Sequence, residues 1–162
     1  MDPRSSPSIT AAPSGGYEVA YQDQSHTLEL AGMIQSGPVS GAQLQPGTNP
    51  AITVPNALAS SAYEIAHHGA SGTLSQIGQI DNSGNTGWLM YPGTSPSITG
   101  IYLPKTLVGS RLLSGYQIAY EGSTGTLWTT IGSPAFTTQH ITTNIGVHLD
   151  PTTIPSVACL VQ

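Results

Sequence analysis

The sequence predicts an all-β fold made of three copies of one four-stranded antiparallel sheet. Three observations carry this expectation. Four short motifs recur three times in the same order. The clearest of them alternates large and small residues with the period of a strand. The composition is also poor in charge and rich in turn formers, with 19 Gly and 13 Pro in 162 residues.

The first motif is Tyr17-Glu18-Val19-Ala20-Tyr21, matched by Tyr63-Glu64-Ile65-Ala66-His67 and Tyr116-Gln117-Ile118-Ala119-Tyr120. Tyr17, Val19 and Tyr21 fall on one face of a strand and Glu18 and Ala20 on the other, because successive side chains point to opposite sides. The second motif is Thr-Leu, at Thr27-Leu28, Thr73-Leu74 and Thr126-Leu127, with Gly32, Gly78 and Gly132 closing each segment. Turns at Ser71-Gly72 and Thr124-Gly125 join the two. The third runs from Gly to Pro: Gly41 to Pro46, Gly87 to Pro92 and Gly146 to Pro151. The fourth reads Pro50-Ala51-Ile52-Thr53, Pro96-Ser97-Ile98-Thr99 and Pro155-Ser156-Val157-Ala158, and it also opens the chain as Pro7-Ser8-Ile9-Thr10. Proline is tolerated at the head of a strand, where a ladder hydrogen bond can be forgone. Repeats over about 5–48, 49–94 and 95–154 follow, with a terminal strand at 155–162, all within one domain. The tyrosine spacing is 46 residues and then 53, and the added length falls largely between Ile101 and Ser114.

Composition excludes several classes. Arg4, Lys105 and Arg111 are the only cations against eight acids, a net charge of −5, so there is no basic face for nucleic acid. Ala, Glu, Lys and Leu are too scarce for a helical bundle. No apolar run is long enough to insert into a membrane as a helix. A single cysteine, Cys159, precludes an intrachain disulfide and reads as a small core residue. The first seven residues hold no apolar segment of a signal peptide, while the Ser/Thr-rich surface, 38 of 162 residues, suggests an extracellular or cell-surface setting.

A four-stranded sheet of about 46 residues suits one blade of a β-propeller. Three blades cannot close a ring, because propellers need four to eight, so the expectation is completion by homo-oligomerisation. The large face of one blade is expected to pack on small residues of the next, as Tyr17, Val19 and Tyr21 on Ala66. Thirteen strand candidates, one more than three sheets need, leave a strand to complete a neighbour's sheet. A closed threefold β-trefoil or β-prism is the alternative.

The stretches Gly16-Tyr17-Glu18-Val19-Ala20-Tyr21-Gln22, Gly125-Thr126-Leu127-Trp128 and Pro92-Gly93-Thr94-Ser95-Pro96-Ser97-Ile98 resemble a tandem repeat of actinobacterial, often secreted, proteins. That repeat reads G-Y-E-V-A-F-Q-x-x-T-G-x-L-W-T-x-G followed by P-G-T-S-P-S-I, and it is similar in layout to the blades of tectonin-like propeller lectins. The resemblance spans Ser5 to Val157. It implies sugar binding between blades, with an aromatic side chain and a few hydrogen-bonding groups per site. The Trp after Leu survives only as Trp128; Glu29 and Ser75 stand in its place elsewhere.

The candidate contacts are Trp128, Trp88, Tyr91, Glu18, Glu64 and Gln117. An indole suits the apolar face of a pyranose as well as a core, and Trp88 replaces the small Ala42 and Val147 of the other repeats. Tyr91 follows in the same run. Glu18, Glu64 and Gln117 share one position, and Glu and Gln have in common an acceptor oxygen but not a charge. That position therefore serves hydrogen bonding, to a backbone amide or to a sugar hydroxyl, and not acid–base chemistry. His67 and His68 are adjacent on a strand, point to opposite faces and cannot readily chelate one ion. There is no nucleophile elbow, zinc-protease motif, phosphate loop or calcium loop, and no pair of carboxylates set as in a glycosidase. The expectation is a non-enzymatic, carbohydrate-binding repeat protein without metal or cofactor; the alternative is a structural or adhesive self-assembling protein.

Overall fold

The computed structural model describes residues 1–12, 15–55, 62–80, 84–103, 113–132, 141–150 and 154–157. Twelve strands and no helix occur among them. The first sheet takes β1 (Ser8–Ala11), β2 (Tyr17–Gln22), β3 (Thr27–Gly32) and β4 (Gly37–Gln43). The second takes β5 (Ala51–Thr53), β6 (Glu64–His68), β7 (Thr73–Gly78) and β8 (Gly84–Leu89). The third takes β9 (Ser97–Leu103), β10 (Leu113–Glu121), β11 (Thr126–Gly132) and β12 (Ile141–His148). Every pairing is antiparallel and joins consecutive strands.

The Pro-headed motif, read as the fourth element, is the first strand of each sheet. Its register repeats: Ser8 faces Ala20, Ala51 faces Ala66 and Ser97 faces Ala119. The N-terminal copy is thus used as β1, and the copy at Pro155 is the surplus one. Ile154–Val157 form no strand, and 158–162 of the expected terminal strand lie outside the described residues.

The sheets stack in sequence, β1 on β5 and β5 on β9, with no comparable packing of β9 on β1 among the described residues. The threefold closure weighed as an alternative is therefore not seen among the described residues. One apolar cluster joins Ala20, Leu28 and Leu30 of the first sheet to Ile52, Tyr63 and Ile65 of the second. A second joins Ala66, Leu74 and Met90 to Tyr116, Ile118 and Tyr120 of the third. Large residues do meet small ones, but in the opposite sense to the expected one. The Tyr-led face looks back at the preceding sheet, so Ala66 lies against the third sheet and not against Tyr17. No sheet among the described residues packs on this face of the first sheet: Tyr17 is 54% exposed, and Val19 and Tyr21 are half-buried.

Backbone hydrogen bonds repeat at both junctions. Gln45 N donates to His68 O (2.8 Å) and Ala70 N to Gln43 O (2.9 Å); one repeat on, Tyr91 N donates to Glu121 O (3.0 Å) and Ser123 N to Leu89 O (3.1 Å). The turns that follow are alike: the hydroxyls of Thr48 and Thr94 donate to Gln45 O and Tyr91 O. Asp2-Pro3-Arg4-Ser5 reproduces this turn at the chain start. Asp2 N donates to Gln22 O (2.8 Å) and Ser5 N to Asp2 O (3.1 Å), so the N-terminus occupies the place of a preceding repeat's turn.

Candidate functional site

Each outer strand pair carries the same irregularity. The register shifts between Thr27 and Glu29, between Thr73 and Ser75, and between Thr126 and Trp128. Opposite each shift stands a glycine of positive φ: Gly41 (77°), Gly87 (77°) and Gly146 (75°). A bulge of this kind re-aims neighbouring side chains, and glycine accepts the required backbone without strain. The residue after the glycine, Ala42 or Trp88, is thereby brought to the junction with the next sheet, and a pocket opens there in both cases.

The pocket between the second and third sheets has a volume of about 470 Å³ and is lined by Gly87, Trp88, Leu89, Tyr120, Gly122, Ser123, Thr124 and Trp128. Trp88 stacks on Tyr120, with ring centroids 6.4 Å apart and planes 8° from parallel. Trp128 lies over Gly122, where a Cβ would stand 2.7 Å from the indole Cδ1 and Nε1. Its Nε1–H donates to Thr126 Oγ1 (3.0 Å). Both indoles are half-buried, leaving part of each ring open. Burial pushes the Tyr120 phenol up to about 12, so its hydroxyl keeps its proton at neutral pH. The result is an aromatic wall beside the neutral hydroxyls of Ser123 and Thr124, with no charged group among the described lining residues.

The equivalent pocket between the first and second sheets is about 230 Å³ and uses the same positions: Gly41, Ala42, Gln43, His67, Gly69, Ala70, Ser71 and Ser75, with Ile77, Gly84 and Asn85. Ser75 stands over Gly69 as Trp128 stands over Gly122, its Oγ 2.7 Å from where a Cβ would be. The rim is a hydrogen-bonded ring. Ser71 and Thr73 hydroxyls meet at 2.8 Å, Thr73 Oγ1 donates to Asn85 Oδ1 (2.8 Å), and Asn85 Nδ2 donates to Ser71 Oγ (3.1 Å).

Of the residues singled out from sequence, Trp88 and Trp128 are brought together. Tyr91 lines neither pocket; its backbone supplies the junction bond to Glu121. Glu18, Glu64 and Gln117 line neither pocket, because they sit at the opposite strand end from Tyr21, His67 and Tyr120. Three residues of strand separate them, about 10 Å. Glu18 is fully buried and accepts from Ile34 N (2.8 Å) and Gln35 N (3.3 Å), holding the β3–β4 connection. Glu64 is equally buried and Gln117 half-buried. Gly32 and Gly78, expected only as segment ends, face Glu18 and Glu64 directly, with no room for a side chain between. β11 has one residue more between Thr126 and its closing glycine, so Gly132 lies against Tyr116 instead of Gln117.

The adjacent histidines diverge as expected. His67 lines the smaller pocket, and burial, with His68 beside it, holds its imidazole down to about 4. His68 Nδ1 bonds Thr94 O (2.9 Å), steadying the turn, as Gln22 does through Gln45 O (3.0 Å) and Gly47 N (3.2 Å). No three His, Cys, Asp or Glu side chains converge among the described residues. Reasoning from sequence missed Tyr120, Ser123, Thr124 and the Ser71–Asn85 rim as pocket groups. The signal available was positional: Tyr120 shares its place with His67, and Trp128 with Ser75.

The chain is similar in fold to a fucose lectin from Kordia zhangzhouensis, solved in complex with methyl-fucoside, with a TM-score of 0.57 and 10% identity. The likeness covers 85% of this chain and 97% of that one. The likeness defines the class of fold, an all-β repeat of four-stranded antiparallel sheets. No family model and no curated protein matches the sequence.

Proposed function

We propose that this chain is a non-catalytic carbohydrate-binding protein whose principal sugar site is the aromatic pocket between the second and third sheets. The observation that carries the reading is the meeting of Trp88, Tyr120 and Trp128 around a half-open cavity of about 470 Å³ edged by Ser123 and Thr124. Flat apolar rings suit the C–H face of a pyranose, and hydroxyls beside them suit its rim. The structural neighbour binds a fucoside, which fits the same class of ligand. In this reading Trp128 is the platform and Trp88 the wall, kept upright by Tyr120. Glu18 is a loop anchor, and Glu64 and Gln117 hold the corresponding place.

Copies of the chain associate through their open faces to complete a propeller. The first sheet offers a large face, Tyr17, Val19 and Tyr21, and the third offers a smaller one at Leu127. Leu127 is half-exposed, whereas Leu28 and Leu74 at the two covered junctions are fully buried. Two copies would supply six sheets, within the range in which propellers close, and several sites per assembly would give avidity for a glycan surface outside the cell. A purely structural or adhesive role would use the same open faces and leave the aromatic pocket empty.

A glycan array followed by calorimetry tests the sugar site. The expected result is saturable binding of a neutral monosaccharide or its methyl glycoside, weakened at least about tenfold, or roughly 1.4 kcal/mol, by Trp128→Ala. Absence of any sugar ligand, or binding indifferent to Trp128→Ala, refutes it. Sedimentation tests the assembly: the intact chain is expected as a dimer or larger ring, reduced towards monomer by Val19→Glu. A wild-type chain that stays monomeric overturns that part.

A further inference from the structure

We propose that the smaller pocket, between the first and second sheets, is a second binding site of different chemistry, which takes a small neutral polyhydroxylated molecule by hydrogen bonds to His67, Ser75 and the Asn85 rim without aromatic stacking. This rests on the reading that the junctions of the fold hold ligands. It concerns a different pocket, so the two stand or fall separately.

His67 is the observation that points to a ligand. It is 1% exposed, it lines the cavity, and its Nδ1 is buried without a hydrogen-bond partner among the described residues. Leaving a buried nitrogen unpaired is costly, and native proteins seldom do so without reason. Its neighbour His68, in the same strand, is anchored to Thr94 O. Tyr21 and Tyr120 occupy the place of His67 in the other repeats, so a histidine here exchanges an aromatic surface for a polar group able both to donate and to accept.

The rest of the pocket selects the chemistry. Among the described residues no cation or carboxylate stands in its lining, which disfavours ions. Ser75 replaces the platform indole and Ala42 the wall indole, so this pocket lacks the indole surface on which a sugar face would stack. Ser71, Thr73 and Asn85 are already ordered by bonds to one another, giving a rim fixed before a ligand arrives. Such preorganisation lowers the ordering cost of binding. The volume, about 230 Å³, lies below the usual range for drug-sized ligands and limits the occupant to a single ring or a short polyol.

Amide and imidazole NMR of the full-length, isotope-labelled protein tests this, with glycerol, myo-inositol and free methyl glycosides as probes. At least one probe is expected to shift the His67, Ser75 and Asn85 resonances saturably, and equally so in Trp128→Ala. His67→Tyr, which installs the residue found there in the other repeats, is expected to weaken the response at Ser75 and Asn85 at least tenfold. Asn85→Ala, at an exposed position, is the second variant and is expected to weaken it severalfold. No saturation by any probe at roughly 100 mM, a hundred times a 1 mM Kd, overturns the proposal. So does a response unchanged in both variants, or one abolished by Trp128→Ala. Should Trp128→Ala leave all sugar binding intact while His67→Tyr removes it, the aromatic site falls and this one stands.

Discussion

The two junctions share a backbone and differ in what they present. Both have the bulge with its positive-φ glycine, the paired backbone bonds between sheets and the close approach of a side chain to Gly69 or Gly122. Of the eight equivalent lining positions only the two glycines are identical, and the largest differences are Ala42 against Trp88, His67 against Tyr120 and Ser75 against Trp128. The difference teaches that the repeat supplies the pocket's frame and a handful of side chains supply the chemistry of its lining. These positions also touch the core: Ala42 belongs to the first apolar cluster and Tyr120 to the second, with Trp88 and Trp128 packed against it.

The same comparison separates covered from open faces. β6 is buried on both sides along its whole length, while β2, with the same motif, alternates between buried residues and more exposed ones. The largest expected effect tests this. Ile65→Ala, at a fully buried position between sheets, should lower unfolding free energy by about 2–5 kcal/mol. Val19→Ala, at the same position of the first repeat, should cost under about 1 kcal/mol in the single chain. Denaturant titration below the association range distinguishes them, and equal losses would erase the distinction between the faces.

The next effect is pH-dependent. His67 titrates near 6.5 when unfolded and at about 4 when folded, because burial and His68 disfavour its cation. The unfolded chain therefore binds the proton first. Stability from this group is complete above pH 6.5 and is lost as pH falls towards 4, by about 3 kcal/mol in all. His67→Tyr should flatten the urea midpoint over that interval; a profile unchanged by the substitution would show that His67 is not the group responsible.

A gain of function sharpens the contrast between pockets. Ser75→Trp with Ala42→Trp should add an aromatic site at the first junction, raising the number of sugars bound per chain by one in calorimetry. Unchanged stoichiometry would mean that the frame alone does not transmit specificity.

The smallest effect concerns the turn anchors. Glu121 is buried with neither carboxylate oxygen hydrogen-bonded among the described residues, and burial and Asp150 push its pKa up. Gln22 fills that place in the first repeat with two hydrogen bonds. Glu121→Gln is expected to raise stability at pH 7 by about 1 kcal/mol, read as a higher thermal midpoint.

Much of the fold was legible in the motifs. The Tyr-Glu-Val-Ala-Tyr alternation located β2, β6 and β10, and Thr-Leu located β3, β7 and β11, because strand periodicity and turn chemistry are local. The Asp2-Pro3-Arg4-Ser5 turn escaped notice, since its likeness to Gln45-Pro46-Gly47-Thr48 lies in backbone bonds more than in identities. The site was legible in part. Trp88 and Trp128 stood out as rare large residues in a repeat of small ones. Glu18 looked equally suggestive, yet its carboxylate is satisfied by two backbone amides of the next connection, a partnership no strand pattern reveals.

By itself, then, the order of residues determined the sheets, their number and the alternation of large and small along each strand, all properties of segments a few residues long. Only the tertiary structure decided which face meets which neighbour and which side chains share a pocket. Trp88 and Trp128 are 40 residues apart in sequence and belong to different sheets. They come together because the Tyr-led face of each sheet packs back on the one before it, a choice made by the fit of whole surfaces.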